Sequence, residues 1–317
     1  MRELVVLGTA SQVPTRTRNH NGYLLRWDGA GLLFDPGEGT QRQLTLAGVP
    51  ASAITRICLT HVHGDHCFGL PGVLSRLALD GVEHPVHLHY PASGEEVVRA
   101  LVSVGAIPPD LRLHPHGVAG DVADGLAVVP LRHRVETYGY RLTEPDGRTL
   151  LPERLEAAGV RGPDVARLQR DGGLDGVRLA DVSVRRPGQR FAIVMDTARC
   201  EGAEELADGA DLLLVECTFA DELAHLAEEY RHLTAGQAGA LGATGGARSV
   251  VLTHFSSRYP DVGPLLQEAR ARAGARPVAA AEDLDRFAFP ARRAARDAAA
   301  GAAPGVAPDA AATGAPA

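Results

Sequence analysis

The sequence predicts a layered α/β fold, with helices covering the faces of sheets and one protruding arm inserted near the middle of the chain. Three observations carry this. Short apolar runs bounded by glycine, proline or polar residues recur along the chain, as buried strands do. After an initial hairpin these runs alternate with helical segments, the order expected of sheets that lie under helices. Between residues 145 and 190 the alternation stops and arginine becomes frequent.

The elements follow in order. Residues 3 to 8 are expected as the first strand. Gly22 to Trp27 and Gly31 to Phe34 form a hairpin, because Asp28-Gly29 supplies the turn chemistry between them. Thr40 begins a helix that reaches Gly48, Arg56 to Thr60 is a buried strand, and Leu70 to Leu79 is a helix. Strands are predicted at His87 to Tyr90, Leu126 to Pro130 and Thr137 to Leu142. A helix from Ser93 to about Val104 separates the first two, with Ser93 and Glu96 read as a capping box. Further strands fall at Phe191 to Met195, Leu212 to Glu216 and Ser249 to Thr253. Helices fall around His225, from Thr234 to Leu241 and from Val262 to Ala273. In the arm, Pro152 and Pro163 each open a short helix that Gly159 and Gly172 close, matching the preference for proline at helix starts and glycine past helix ends. From Ala291 onward the chain is mostly Ala, Pro and Gly, a composition that cannot bury a core and predicts disorder. The expected division is a domain over residues 1–290, with the arm inserted at about 145–190, and a disordered tail over 291–317.

Charge and cysteine usage narrow the class. A formal net charge of −7 argues against a generally basic nucleic-acid coat, so any such role must rest on a local patch. Four cysteines without paired spacing predict reduced thiols and a cytoplasmic protein. The start, Met1-Arg2-Glu3, does not read as a signal sequence, and no apolar run approaches membrane-spanning length.

The chemistry concentrates at the end of the strand Arg56 to Thr60, which empties into His61-Val62-His63-Gly64-Asp65-His66. His61 and His63 are two apart and project to one side of an extended backbone. Gly64 permits a sharp turn that brings Asp65 and His66 round to the same point. Four such side chains in six residues suit zinc or a similar divalent ion, with no thiolate nearby except Cys67. Distant ligands would complete the centre. His133, Asp196 and His254 each lie just beyond an apolar run, although any one of them also reads as a polar strand-end residue bonded to a loop. Together they make seven ligands, enough for two metals if one carboxylate bridges. Two metals about 3.5–4 Å apart activate a water and stabilise both oxygens of an in-line phosphoryl displacement.

The pattern His61-Val62-His63-Gly64-Asp65-His66 with His133, Asp196 and His254 resembles the metallo-β-lactamase superfamily. Its companions resemble the ribonuclease Z family more narrowly: Phe34-Asp35-Pro36-Gly37-Glu38-Gly39-Thr40-Gln41, Phe68-Gly69-Leu70-Pro71-Gly72, Glu216-Cys217-Thr218-Phe219 and His254-Phe255-Ser256-Ser257-Arg258-Tyr259. The likeness spans the first strand to about Phe289. It implies an αββα sandwich and two Zn²⁺ ions, one held by His61, His63 and His133, the other by Asp65, His66 and His254, with Asp196 bridging. It further implies cleavage of precursor tRNA after the discriminator nucleotide, leaving a tRNA 3′-hydroxyl and a trailer 5′-phosphate, by a homodimer. Asp65 would accept the proton of the attacking water, and His232 would assist the leaving oxygen or steady the scissile phosphate. A helix-start partner is the plainer account of His232. For substrate, the resemblance points to Arg16 and Arg18 in the loop Pro14 to Asn19, to Arg258, and to Gly162-Pro163 in an arm that grips the tRNA elbow. The arm's eight arginines against six acids over residues 151–190 give only a small positive excess.

Two departures stand out. Pro36 replaces an expected cysteine, and Asp196-Thr197-Ala198-Arg199 places its arginine one residue late. His84, His87, His89, His114 and His116 are read as surface or packing histidines. The competing functions are another phosphodiesterase of the superfamily, acting on cyclic nucleotides or small phosphodiesters, and a non-catalytic RNA-binding homologue. The full ligand set argues against the last.

Overall fold

A computed structural model describes residues 2–293. Most of the predicted tail, 294–317, lies outside the described residues. Two seven-stranded sheets organise the larger compact unit, residues 1–144 and 189–291. The first sheet runs, in spatial order, Arg286–Ala288, Glu3–Gly8, Gly22–Trp27, Ala30–Phe34, Arg56–Cys58, Val86–Pro91 and Leu111–His116. The second runs Val278–Ala280, Val250–Thr253, Leu212–Glu216, Arg190–Val194, Thr137–Thr143, Leu126–Leu131 and Gly120–Ala123.

The apolar runs are continuous rather than alternating because both faces of the strands are covered. Leu4 and Val6 point into the layer between the sheets, whereas Val5 and Leu7 point out under helices. The same division holds for Leu212 and Leu214 against Leu213 and Val215. The inner layer includes Tyr23, Phe34, Tyr140, Phe191 and Ile193, all fully buried. Outside the first sheet lie helices Thr40–Leu46, Leu70–Leu79 and Glu95–Val102; outside the second lie Glu201–Ala207, Ala235–Thr244 and Gly263–Ala273. This is the αββα sandwich.

Several local expectations need correction. Ser93 and Glu96 form no capping box: Ala92–Gly94 is a 3₁₀ turn, the next helix starts at Glu95 without a side-chain cap, and the Ser93 N–H donates to Glu136. A reciprocal box does form at Thr234 and Gln237. Gly64 opens the four-residue helix Gly64–Cys67 that carries Asp65 and His66, and it also leaves room, since a Cβ there would meet the Phe68 ring at 2.3 Å. The strand Leu111–His116 and the helix Glu201–Ala207 go beyond the elements expected from the sequence. The first carries Pro115 and polar residues because it is a sheet edge, where proline is tolerated. The second buries Ala203, Leu206 and Ala207, and two alanines with a single leucine give little hydrophobic signal.

Residues 145–188 form a separate compact unit. Its helices Pro152–Ala157 and Pro163–Asp171 close at left-handed Gly159 and Gly172, as the Pro-in, Gly-out spacing predicts. A ladder pairs Gly147–Leu150 with Ser183–Arg186, and Val160, Leu168 and Val182 make a small core. The apolar residues of this segment therefore pack on one another, so the arm carries a core of its own. Among the described residues no helix is long and apolar enough to cross a membrane. All four cysteines are free.

Candidate metal centre

Strands end in order to build this site. Beyond Arg56–Cys58 come His61, His63, Asp65 and His66; beyond Leu126–Leu131 comes His133; beyond Arg190–Val194, Asp196; beyond Val250–Thr253, His254. All seven side chains converge, in two sets. His61 Nε2 lies 2.9 Å from His63 Nδ1, which is 3.4 Å from His133 Nε2, and Asp196 Oδ2 is 3.7 Å from both His61 Nε2 and His133 Nε2. In the second set Asp65 Oδ2 is 3.3 Å from His66 Nε2 and 3.6 Å from His254 Nε2. Asp196 Oδ1 lies 3.3 Å and 3.2 Å from the same two nitrogens. One oxygen of Asp196 thus faces each set.

These separations fit a divalent ion. Bonds of about 2.0–2.1 Å in a tetrahedron set ligand atoms about 3.3–3.4 Å apart, the middle of the range seen here. Asp196 Oδ1 and His254 Nε2 are buried without a hydrogen-bond partner, a costly arrangement for polar atoms that have no cation between them. A third combination, Asp196, His232 and His254, is also close enough to hold an ion, but it shares two members with the others and His232 Nε2 stands 4.0 Å from Asp196 Oδ2. Cys67 offers nothing: its thiol reaches the Val62 carbonyl, and burial pushes its pKa up to about 12.

The ring orientations are set from behind. Asp35, fully buried, accepts from the Thr60 N–H and hydroxyl at 2.7 Å each and from His66 Nδ1 at 2.9 Å. Since the Thr60 hydroxyl donates to Asp35, its lone pair accepts from His61 Nδ1 at 3.0 Å. Glu216 repeats the device: it accepts from the Thr218 hydroxyl at 2.6 Å, and Thr218 accepts from His254 Nδ1 at 2.8 Å. His133 Nδ1 donates to the Arg231 carbonyl at 3.1 Å, and Arg231 Nη1 donates back to the His133 carbonyl. With each Nδ1 proton committed, Nε2 of His61, His66, His133 and His254 presents its lone pair to the centre. Asp35, Asp196 and His254 all have positive φ, at 45°, 37° and 59°. Strained non-glycine backbone of this kind persists where surroundings enforce it.

Electrostatics follow from crowding. Burial holds His61 and His133 below the ordinary histidine pKa. Burial alone would raise Asp196, but His254, His66, His232 and His61 hold it well below the usual carboxylate range. Burial likewise opposes protonation of His232, yet Glu216 and Asp196 lift it to about 9, with Glu216 Oε1 2.9 Å from Nδ1.

Comparison with known proteins places the chain. Residues 15–179 match the metallo-beta-lactamase superfamily. Ribonuclease Z of Streptomyces coelicolor is 56% identical over 302 residues, 92% of this chain and 99% of that protein. Ribonuclease Z of Chlamydia pneumoniae is 43% identical over 280 residues, 85% and 91% of the two chains. The chain belongs to the ribonuclease Z family. The short form of human tRNase Z, 24% identical, superposes with a TM-score of 0.63 over 91% of this chain and 99% of its own. The fold protein YhfI of Bacillus subtilis, 17% identical, gives 0.67 over 90% and 98%. Both share the fold.

In this ribonuclease Z family member a cleft of 820 Å³ opens above the two sets, its wall including Gln12, Phe68, Tyr230, His232 and Arg258. Arg258 stands over the Phe219 ring at 5.7 Å. Arg16 is exposed. Arg18 is half-buried, donating to the Tyr259 carbonyl at 2.8 Å and lying over the Phe255 ring at 5.4 Å, so it fastens its own loop. Gly162 has φ 56° and Pro163 is the first residue of its helix, in the separate unit. Arg199 pairs with Glu204 and lines a different pocket of 380 Å³. Of His84, His87, His89, His114 and His116, His87 and His114 bond to each other at 2.9 Å, and none of the five joins a metal-capable group among the described residues. Sequence reasoning missed the duties of Asp35 and Glu216. The signal was there, an acid directly after a buried apolar run, as for Asp196.

Proposed function

We propose that this chain is a zinc-dependent endoribonuclease that removes the 3′ trailer of precursor tRNA, acting in the cytoplasm as a homodimer. The observation that carries the reading is Asp196, whose two oxygens each face a separate ligand set at the floor of an open cleft. The ligands His61, His63 and His133 on one side and Asp65, His66 and His254 on the other would hold two ions, whose chemistry when bound is to activate water and neutralise charge on phosphoryl oxygens. Burial would raise the Asp65 carboxyl, but His66 beside it keeps it ionised, and its place beside the cleft lets it accept the proton of the attacking water. Water attacks phosphorus, the bond from phosphorus to the tRNA 3′ oxygen breaks, and that oxygen takes a proton. His232 carries one. Its Nδ1 proton is bound by Glu216, leaving Nε2–H directed to the cleft. The products are a tRNA 3′-hydroxyl and a trailer 5′-phosphate.

Arg16, Arg258 and the Gly162-Pro163 segment are assigned to the RNA, where phosphate contacts position without reading sequence. Free thiols, three of them buried, support a reducing compartment. The dimer rests on the family resemblance, and sedimentation tests it. The deciding experiment incubates purified, metal-quantified protein with one precursor tRNA and maps the cut. A single metal-dependent cut after the discriminator nucleotide is expected. Cuts scattered along the RNA, or cleavage that survives removal of metal, would refute the assignment.

A further inference from the structure

The wall of the metal cleft is mostly polar, and its aromatic residues are unequally available. Phe219 is 3% exposed and stacks with Tyr230, ring centroids 6.3 Å apart and planes at 16°. Phe68 is 59% exposed and lines the same cleft. One exposed phenylalanine is ordinary on a protein surface; its position beside an ion-binding floor is not, because the residues around it serve a charged substrate.

The backbone of Phe68 is held on both sides. Its N–H donates to the Gly64 carbonyl at 2.9 Å, and the N–H of Gly69 donates to the Pro36 carbonyl at 2.8 Å. The ring lies against Gly64 so closely that an added Cβ would stand 2.3 Å from Cε2, 2.6 Å from Cζ and 2.8 Å from Cδ2. Gly64 itself sits between His63 and Asp65, one ligand from each set. The ring is thus seated on the backbone that carries His63 and Asp65, in the wall of the same cleft. A rigid aromatic in that place loses little conformational freedom on binding, and every nucleobase has a face that can stack on it.

We propose that Phe68 is the stacking platform for a nucleobase adjoining the scissile phosphate, and so a positioning residue for precursor tRNA. The proposal rests on the reading of this centre as a ribonuclease site. Unpaired RNA bases are commonly held by stacking on aromatic side chains, and an internucleotide phosphodiester of RNA delivered to these ligands brings a base on each side.

The test measures kcat and KM for wild type, Phe68→Ala, Phe68→Tyr and Phe68→Leu on one precursor tRNA. Two versions of it are run alongside, abasic at the nucleotide immediately before or after the cut. Phe68→Ala is expected to raise KM roughly 5- to 150-fold, the span of one base left unstacked, with metal content equal to wild type. Tyr should restore KM and Leu should not. On one of the two abasic substrates the gap between wild type and Phe68→Ala should close, which also identifies the stacked base. A penalty that persists in full on both abasic substrates, full rescue by Leu, no penalty at all, or loss of metal from Phe68→Ala would each overturn the proposal. A wild-type protein that cuts no precursor tRNA would overturn the functional reading with it, whereas cutting by wild type and indifference to Phe68→Ala overturns this inference alone.

Discussion

Asp35→Asn is the most discriminating change the structure offers, because one buried carboxylate fixes rings in both ligand sets. In the variant the amide oxygen can still accept from the Thr60 N–H, but the NH₂ group then faces the Thr60 hydroxyl and His66 Nδ1. Two N–H groups cannot bond each other. His66 is driven to the tautomer with its proton on Nε2, pointing a hydrogen where the ion should be. Losing a hydrogen bond to a charged group costs about 1.5–3 kcal/mol, which is about 10- to 100-fold in affinity, the same range found when outer partners of metal ligands are removed. His61 feels the change only through Thr60, so the set containing Asp65, His66 and His254 should weaken first. Competition against a chromophoric chelator, read as two sequential zinc affinities, is the assay. Two ions bound by Asp35→Asn as tightly as by wild type would refute the account of how the rings are held.

Further outcomes follow from the same geometry. Asp65→Ala should lower cleavage of precursor tRNA by about 10²–10⁴, the worth of a placed proton acceptor, and a variant that still cuts at the wild-type rate would remove Asp65 from catalysis. In metal-free protein the His232 ring should titrate near 9 by NMR and fall toward 6.5 in Glu216→Gln. The raised value means its contribution to stability is complete below about 6.5 and lost as pH climbs through about 9, so Glu216→Gln should erase that alkaline decline in melting temperature. A histidine that titrates at the same pH in both proteins would show that Glu216 is not its partner. Deleting residues 150–186 should leave the metal content intact and weaken binding of precursor tRNA. The salt dependence of binding should fall by roughly 0.7–0.9 in log–log slope for each phosphate the shortened protein no longer neutralises; an unchanged slope would take the arm out of RNA recognition.

Much of this was legible in the sequence because burial on both faces leaves a strong trace. The runs ending at Leu59, Leu131, Met195 and Thr253 mark strands and, one or two residues on, the side chains that meet at the centre. The helix Leu70–Leu79 matches its expected bounds. What stayed hidden depends on long-range packing. Ser93 and Glu96 have capping-box spacing, but Glu136, far along the chain, takes the Ser93 N–H. Gly64 looked like a turn glycine, and only the folded chain shows the Phe68 ring against it. Arg18 was expected on the substrate side, and its contacts with the Tyr259 carbonyl and the Phe255 ring show only in the folded chain. Positive φ at Asp35, Asp196 and His254 is likewise invisible in a residue string.

Arg231 clasps His133 in both directions, main-chain oxygen to ring and guanidinium to carbonyl, and its own φ is 58°. The very next residue is His232. The imidazole assigned to one ligand set and the histidine proposed as proton donor are therefore two ends of one short mechanical link, and displacement of that corner by an arriving RNA would be transmitted to both at once. Loosening it, by relaxing the backbone at position 231, should blur the timing of water attack and leaving-group protonation together rather than either by itself.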